Sequence, residues 1–212
     1  DPPRFINEFN NIIVSVKSDV KAGIIFPAVD YDSAYVSVYT DASFANNMDL
    51  TSQIGYIALL MDDYGNAIPI AFRSTKAKRV TRSVLAAEAI ALIEGYDAGY
   101  CIAHEFSRLF GRRVSLTLAT DSQSLFTATA RGSATGERRL LIDLAALKTG
   151  YRNYEIDNLV FVRSADNLAD ALTKPLIPHA LFDLMRTAKH RLRAAQRILR
   201  VRSSEKERRS VT

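Results

Sequence analysis

Residues 36–43 read Val-Ser-Val-Tyr-Thr-Asp-Ala-Ser, and residues 116–123 read Leu-Thr-Leu-Ala-Thr-Asp-Ser-Gln. Apolar residues alternate along both stretches, which is the pattern of a β-strand, and each predicted strand delivers Thr-Asp at its end. Ligand sites in open α/β sheets gather at such strand ends, so Asp41 and Asp121 converge there if the two strands are neighbours. Converging carboxylates repel one another, and a divalent cation relieves the repulsion. Oxygen ligands without nearby Cys or His favour Mg²⁺ or Mn²⁺ over zinc.

The hydrophobic pattern between these two stretches predicts the rest of an antiparallel meander. Apolar residues alternate again over 54–60 and over 68–72, and a turn sequence, Asp-Tyr-Gly-Asn, separates them at 63–66. Together with the strand that ends at Asp41, these segments predict three consecutive antiparallel strands.

The second half of the chain alternates helices with two further strands. A long helix rich in Ala, Leu, Ile and Glu begins at a cap, Thr81 or Ser83, and runs towards Gly111. The elements that follow are a strand at 114–118, helices from 122 and over 137–147, a strand at 159–162, and a helix over 167–172 capped by Ser164 or Asp166. This order predicts an α/β fold, a mixed five-stranded sheet with three antiparallel strands, two further strands and helices on its faces.

Composition fits a globular domain with appendages. The 212 residues are 48% hydrophobic and 24% charged, and no apolar run approaches the roughly 20 residues that a membrane-spanning helix needs, so no membrane partner is expected. The single cysteine, Cys101, excludes an internal disulfide and a cysteine-based zinc site. The chain opens Asp-Pro-Pro without an initiator Met or a signal peptide, so we expect it to be a piece of something longer.

Patterning divides the chain into three predicted parts: a lead-in or connection segment with a helix at 1–34, a domain at 35–176, and a basic helix and tail at 177–212. Residues 186–209 contain ten Lys or Arg but only two Glu, so the tail is basic, whereas the rest of the chain is slightly acidic. Its apolar residues recur at broadly helical spacing, which predicts an amphipathic helix, although residues 201–212 are equally compatible with a solvated end. A basic tail on an acidic body suggests a polyanion partner.

Glu88 and Asp170 are two further acids on predicted helices. Glu88 lies one to two turns into the long helix among small and apolar residues, where an unpaired carboxylate is costly. Asp170 lies in the first turns of the last core helix. Each acid alone has a simpler interpretation, since such residues usually serve turns, solvated helix faces or helix dipoles. Their joint placement with Asp41 and Asp121 favours a shared site instead.

With these motifs the sequence resembles the ribonuclease H domain of copia-type long-terminal-repeat retrotransposons. The matching segments span about two thirds of the chain in the family's order, and the most specific is Ala-Asp-Ala-Leu-Thr-Lys-Pro-Leu at 169–176. The others are Tyr-Thr-Asp-Ala-Ser-Phe at 39–44, Thr-Ser-Gln-Ile-Gly-Tyr at 51–56, Ser-Thr-Lys-Ala-Lys-Arg at 74–79, the stretch 83–92 around Glu88, and Thr-Asp-Ser at 120–122.

This resemblance implies a ribonuclease H fold and two-metal cleavage of the RNA strand in an RNA–DNA hybrid. It implies Asp41, Glu88, Asp121 and Asp170 as catalytic, metal-binding acids for two Mg²⁺ ions, which Mn²⁺ can replace. The implied partners are the hybrid and the reverse transcriptase region of the same polyprotein, and the implied location is intracellular, in a cytoplasmic virus-like particle. One departure is that many relatives carry a His between the third and fourth acids, whereas residues 122–169 contain none.

Substrate contacts are predicted in two segments, one before Glu88 in the sequence and one directly after Asp121. A basic stretch before the Glu88 helix combines cations with hydroxyls suited to phosphates and 2′-hydroxyls, and a solvated loop is the equally weighted alternative. The residues concerned are Arg73, Ser74, Lys76, Lys78, Arg79 and Arg82. Ser122 and Gln123, next to Asp121, are placed to read the minor groove of a hybrid.

Two other functions remain as alternatives. The first is a catalytically idle module of the same fold that holds a complex together by binding nucleic acid or protein. The presence of all four acids argues against it. The second is an integrase-like transposase that uses Asp41, Asp121 and Glu155, but Glu155 precedes a strand, whereas that chemistry takes its last acid from a late helix.

Overall fold

The computed structural model describes residues 2–18, 23–131, 138–174 and 179–198. Its helices are α1 (Pro2–Ser18), α2 (Val84–Phe110), α3 (Gln123–Arg131), α4 (Arg138–Arg152), α5 (Asp170–Thr173) and α6 (His179–Thr187), with a 3-10 helix at Ser164–Asp166. Its strands are β1 (Tyr35–Ser43), β2 (Gln53–Met61), β3 (Ala67–Lys76), β4 (Leu116–Thr120), β5 (Asn158–Val162) and β6 (Ala194–Arg197). None of the helices in these ranges has the length and apolar character that crossing a bilayer requires.

The strands form one mixed sheet in the order β3-β2-β1-β4-β5-β6. The predicted meander is present, because β1, β2 and β3 pair antiparallel, and β4 and β5 then run parallel to β1. In register, Thr40 lies opposite Thr120. Asp41, which lies within β1 near its end, and Asp121, which directly follows β4, are therefore side by side, as the repeated sequence pattern predicts.

The sheet has six strands rather than the predicted five, because part of the basic tail joins it. Residues 194–197 form β6, which pairs antiparallel with β5, and the preceding segment bonds to the β2–β3 turn. Among the described residues of the tail, a helix exists only over α6, so the prediction is wrong for residues 188–198. An unpaired β5 edge offers backbone hydrogen bonds that helical spacing in the sequence does not reveal. Residues 199–212 lie outside the described part of the chain.

The segment before β6 is fixed to the sheet by His190. Its ring nitrogen lies 2.6 Å from the hydroxyl of Tyr39, a fully buried residue of β1. Burial lowers the pKa of His190 to about 4, so the ring is neutral at neutral pH. This histidine, which the sequence placed in the tail, is therefore part of the packed structure.

Helix α2 crosses the sheet at close range because two glycines face the strands. A Cβ atom at Gly95 would lie 2.5 Å from Thr40 Cγ2, and one at Gly99 would lie 2.7 Å from Val38 Cγ2. Any larger residue would push the helix away from β1. Glu88 precedes Gly95 by seven residues, about two turns, so it lies on the same sheet-facing side of the helix.

The two faces of the sheet carry separate apolar clusters. Val38, Leu116 and Leu159 pack with α2 and α4 on one face. Tyr39 and Val160 pack with residues of α6 and of the loop before α5 on the other. The described residues of the sheet are thus covered on both sides.

The helix predicted over 167–172 is much shorter than expected. The chain forms a 3-10 helix at Ser164–Asp166 and then the four-residue α5, whose N-cap, Ala169, makes no side-chain cap. Neither Ser164 nor Asp166 caps a helix, because the Ser164 hydroxyl bonds to Asp121 instead. The contact across the sheet edge competes with the local helix and shortens it.

Helix α1 agrees with the helix expected in the lead-in. Its apolar side chains Ile6, Phe9 and Val14 are exposed. The domain boundaries proposed from the sequence remain predictions.

Candidate active site

Three of the four predicted acids meet at the carboxyl edge of the sheet. Asp41 near the end of β1, Asp121 directly after β4 and Asp170 at the start of α5 each place an oxygen within 4.8 Å of the other two. Asp41 is 1% exposed, and the other two are partly exposed. Parallel pairing of β1 with β4 brings two of them together, and α5 supplies the third.

Glu88 approaches this cluster from α2. The side chain is buried, and its Oε2 atom has no hydrogen-bond partner among the described residues. Burial, together with the negative charges of Asp41 and Asp121, raises the pKa of Glu88 to about 9. Without a bound metal ion, Glu88 is therefore protonated at neutral pH. A buried carboxyl oxygen without a partner indicates a missing ligand in this place.

Asp121 is oriented by two residues of the loop after β5. The Ser164 hydroxyl donates to its Oδ2 at 2.6 Å, and the Asn167 amide donates to its Oδ1 at 3.1 Å. The same Asn167 amide donates to the Thr40 carbonyl at 3.1 Å, so it ties the ends of β1 and β4 together. Sequence reasoning gave neither residue a role in the site: it assigned Ser164 as a possible helix cap, and it noted Asn167 only as part of the Asn-Leu-Ala-Asp motif.

Asp41 is held from the opposite side by α5. The Thr173 hydroxyl donates to its Oδ2. Helix α5 can come this close because Gly55, the β2 partner of Asp41, has no side chain: a Cβ atom there would lie 2.8 Å from Leu172 Cβ. The glycine of the Thr-Ser-Gln-Ile-Gly-Tyr motif therefore serves the packing of the site.

A lysine bridges two acids of the cluster. Lys174 Nζ lies 3.1 Å from Asp41 Oδ1 and 2.9 Å from Asp170 Oδ1. Burial lowers the pKa of Lys174, but its contacts with Asp170 and Asp41 outweigh that effect and leave it above its ordinary value. Burial raises the pKa of Asp170, and Lys174 acts against that rise. The sequence signal for this pair was its i,i+4 spacing, which places the two side chains on one helix face.

Most residues of the predicted basic stretch are exposed, but several are already paired. Arg73 lies 3.4 Å from Glu94, Lys76 lies 2.9 Å from Asp49, and Arg79 bonds to Asp143 of α4. Lys78 and Arg82 are exposed. The Ser74 hydroxyl donates to the Leu172 carbonyl, so Ser74 supports α5.

The two residues after Asp121 have different surroundings. The Ser122 hydroxyl accepts a hydrogen bond from the Leu125 backbone at 3.4 Å, as a cap of α3 does. Gln123 is exposed at the rim and donates to the Gln196 side chain of β6 at 3.2 Å. Of the two, Gln123 is the more exposed.

Glu155 does not join the acidic cluster. Glu155 precedes β5, so it lies at the amino-terminal end of that strand. Because β5 runs parallel to β1, this end is the one opposite to the carboxyl end of β1, where Asp41 lies. The Glu155 carboxylate accepts a hydrogen bond from the Tyr96 hydroxyl. The acid set of the transposase alternative is therefore not assembled.

Comparison with known proteins identifies the fold. No family model matches the chain, and no curated protein matches its sequence. Among solved structures, LC11-RNase H1, isolated from compost by a metagenomic approach, matches with a TM-score of 0.50 and 19% identity, covering 69% of this chain and 98% of that one. RNase H1 from the halophilic archaeon Halobacterium salinarum NRC-1 matches with a TM-score of 0.45 and 24% identity, covering 70% of this chain and 98% of that one.

A viral structure matches as well. The foamy viral protease-reverse transcriptase in complex with an RNA/DNA hybrid matches with a TM-score of 0.49 and 12% identity, covering 70% of this chain and 21% of that one. At such identities the likeness concerns the fold alone. The likeness to LC11-RNase H1, together with the mixed sheet and its helices, shows that the chain has a ribonuclease H-like fold, as predicted.

Proposed function

We propose that this chain, with its ribonuclease H-like fold, is an endonuclease that hydrolyses the RNA strand of RNA–DNA hybrids. The observation that carries the proposal is the convergence of Asp41, Asp121 and Asp170 on one point with the buried Glu88 beside them. Four acids at one strand edge destabilise a protein unless they serve a cation. The fold likeness to LC11-RNase H1 supports the same conclusion.

The donor set fits divalent cations of the hard class. All four side chains offer carboxylate oxygens, and the described part of the chain places no Cys or His among them. We infer that Asp41, Glu88, Asp121 and Asp170 hold two Mg²⁺ ions, with Mn²⁺ as a substitute. Such cations supply positive charge against the negative charge that builds on the attacking and leaving oxygens during phosphodiester hydrolysis.

The chain's own residues position these acids and the substrate. Asn167 and Ser164 fix the orientation of the Asp121 carboxylate, so the remaining lone pairs of its oxygens keep a fixed direction. Preorganised ligands cost no rearrangement during the reaction. We infer that exposed cations of the basic stretch and Gln123 contact the hybrid. Arg73, Lys76 and Arg79 must first leave their acidic partners, so Lys78 and Arg82 are the stronger candidates for phosphate contacts.

The biological setting is inferred from sequence motifs. The segment Ala-Asp-Ala-Leu-Thr-Lys-Pro-Leu at 169–176 supports an origin in a copia-type retrotransposon polyprotein. In that setting the domain removes RNA during reverse transcription, with the reverse transcriptase region of the polyprotein as its partner. The location that follows is intracellular, within a cytoplasmic virus-like particle.

A cleavage assay tests the activity. The protein is incubated in Mg²⁺ or Mn²⁺ with end-labelled RNA–DNA hybrid, duplex RNA and duplex DNA, beside an Asp121→Asn control. We expect cutting of the hybrid's RNA strand only, and none by the control. Hybrid binding without cutting would support the idle-module alternative, and cutting of duplex DNA would contradict the proposal.

A further inference from the structure

Lys174 lies between two acids of the cluster, Asp41 and Asp170. Its ammonium contacts one oxygen of Asp41 and one of Asp170, at 3.1 and 2.9 Å. Both carboxylates belong to the group whose oxygens lie within 4.8 Å of one another. The ammonium therefore uses oxygens that a divalent cation would also need.

The two carboxylates depend on this lysine in the absence of another cation. Asp41 is 1% exposed, so water does little to screen its charge. Breaking a buried ion pair by removing one partner leaves the other charge uncompensated and is strongly destabilising. Lys174 thus supplies the positive charge that Asp41 and Asp170 require in the metal-free protein.

The same contact opposes binding of a divalent cation. Like charges that share the same carboxylate oxygens repel each other strongly where water is largely excluded. Lys174 is able to leave, because its side chain is one third exposed and follows the last residue of the four-residue α5. A lysine carries its charge on a flexible four-carbon stem, so the ammonium can move to solvent without moving the backbone.

We propose that Lys174 is a tethered counter-ion that occupies the acidic cluster in the metal-free protein and is displaced when a divalent cation binds. Metal affinity is then set by an exchange of cations rather than by simple filling of a site. The inference rests on the proposed function, because it needs Asp41 and Asp170 to be metal ligands.

Binding of Mn²⁺, measured by isothermal titration calorimetry on the full chain after removal of EDTA, tests the exchange. The variant is Lys174→Met, which keeps the length of the stem and removes the charge, and the matched control is Lys17→Met, an exposed lysine of α1. We expect the apparent Kd for Mn²⁺ to fall about tenfold or more in Lys174→Met and to stay unchanged in the control.

Thermal unfolding supplies the second measurement. Without metal, the melting temperature of Lys174→Met is expected to be lower than that of the wild type, because two acids lose their partner. Saturating Mn²⁺ is expected to reduce this difference in melting temperature. Tighter metal binding together with lower metal-free stability is a combination that a purely structural ion pair does not give. If Lys174→Met fails to fold without metal, Lys174→Gln, whose amide still donates to a carboxylate, undergoes the same titration with the same expectation.

The possible results separate this inference from the proposed function. Equal or weaker Mn²⁺ binding by the folded variant overturns the exchange and leaves the nuclease proposal intact. Tighter binding with no cleavage of the hybrid by the wild type supports the exchange and contradicts the nuclease. Absence of Mn²⁺ binding at millimolar concentration in both proteins overturns the metal site and the exchange together.

Discussion

Replacing Glu88 by Gln should make the metal-free protein more stable, and the gain should grow with pH. Glu88 has a pKa of about 9 in the folded protein against an ordinary value of 4.5, because the site buries it beside Asp41 and Asp121. Its folded pKa is raised, so its contribution to stability is fully present below pH 4.5 and is lost as the pH rises towards 9. Between these values the folded state holds one more proton on Glu88 than the unfolded state does.

The magnitude follows from that single proton. Each pH unit between the two pKa values removes about 1.4 kcal/mol from the free energy of unfolding, so the interval from about pH 5.5 to about pH 7.5 removes about 2.7 kcal/mol. A glutamine in place of Glu88 binds no proton, so the variant does not undergo this decrease. Other titrating groups, such as His190 and Asp170, act alike in both proteins and cancel in the difference.

Urea unfolding in EDTA at the two pH values measures the effect. We expect the stability of Glu88→Gln relative to the wild type to increase by about 2.7 kcal/mol from the lower to the higher pH. The control is Glu105→Gln on the same helix, whose carboxylate is exposed and pairs with Arg108 at 3.2 Å. A stability difference between variant and wild type that stays constant over this interval would refute a Glu88 that is protonated in the folded protein.

Four other outcomes are expected. Asp121→Asn should abolish hybrid cleavage and leave the circular dichroism spectrum unchanged, whereas Asp41→Asn should also lower the melting temperature, because it removes a partner of Lys174; an active Asp121→Asn enzyme would contradict the mechanism. Cleavage should require Mg²⁺ or Mn²⁺ and be inhibited by Ca²⁺, whose longer and looser coordination suits the site poorly, and full activity in excess EDTA would exclude a metal mechanism. Gly95→Ala should cost about 1–3 kcal/mol in urea unfolding, since its Cβ would lie 2.5 Å from a Thr40 methyl, and an unchanged midpoint would show that α2 is free to move. Deleting residues 199–212 should weaken hybrid binding and flatten its salt dependence by about 0.7 to 0.9 for each phosphate that the shortened chain no longer neutralises, and an unchanged slope and affinity would show that the tail does not bind nucleic acid.

The sequence by itself determined the parts of the site that follow from strand geometry. Alternation with a period of two identifies β1 and β4, and Thr-Asp lies near the end of one and at the end of the other, so parallel pairing alone suffices to bring Asp41 and Asp121 together. Glu88 could be identified because a carboxylate among small and apolar residues of a helix is costly unless it has a partner. These inferences depend on local patterns that the chain carries within a few residues.

Only the tertiary structure decided the features that depend on partners distant in sequence. The tail contributes β6 because the edge of β5 is free to accept it, and no local pattern shows that edge. The predicted helix before Pro175 is cut short because Ser164 and Asn167 direct their polar groups to Asp121. Three cations of the basic stretch meet acids from other elements, and Lys174 meets Asp41 across the site. Propensity and periodicity describe a residue's neighbours along the chain, whereas ion pairs and strand edges are set by the neighbours that folding brings near.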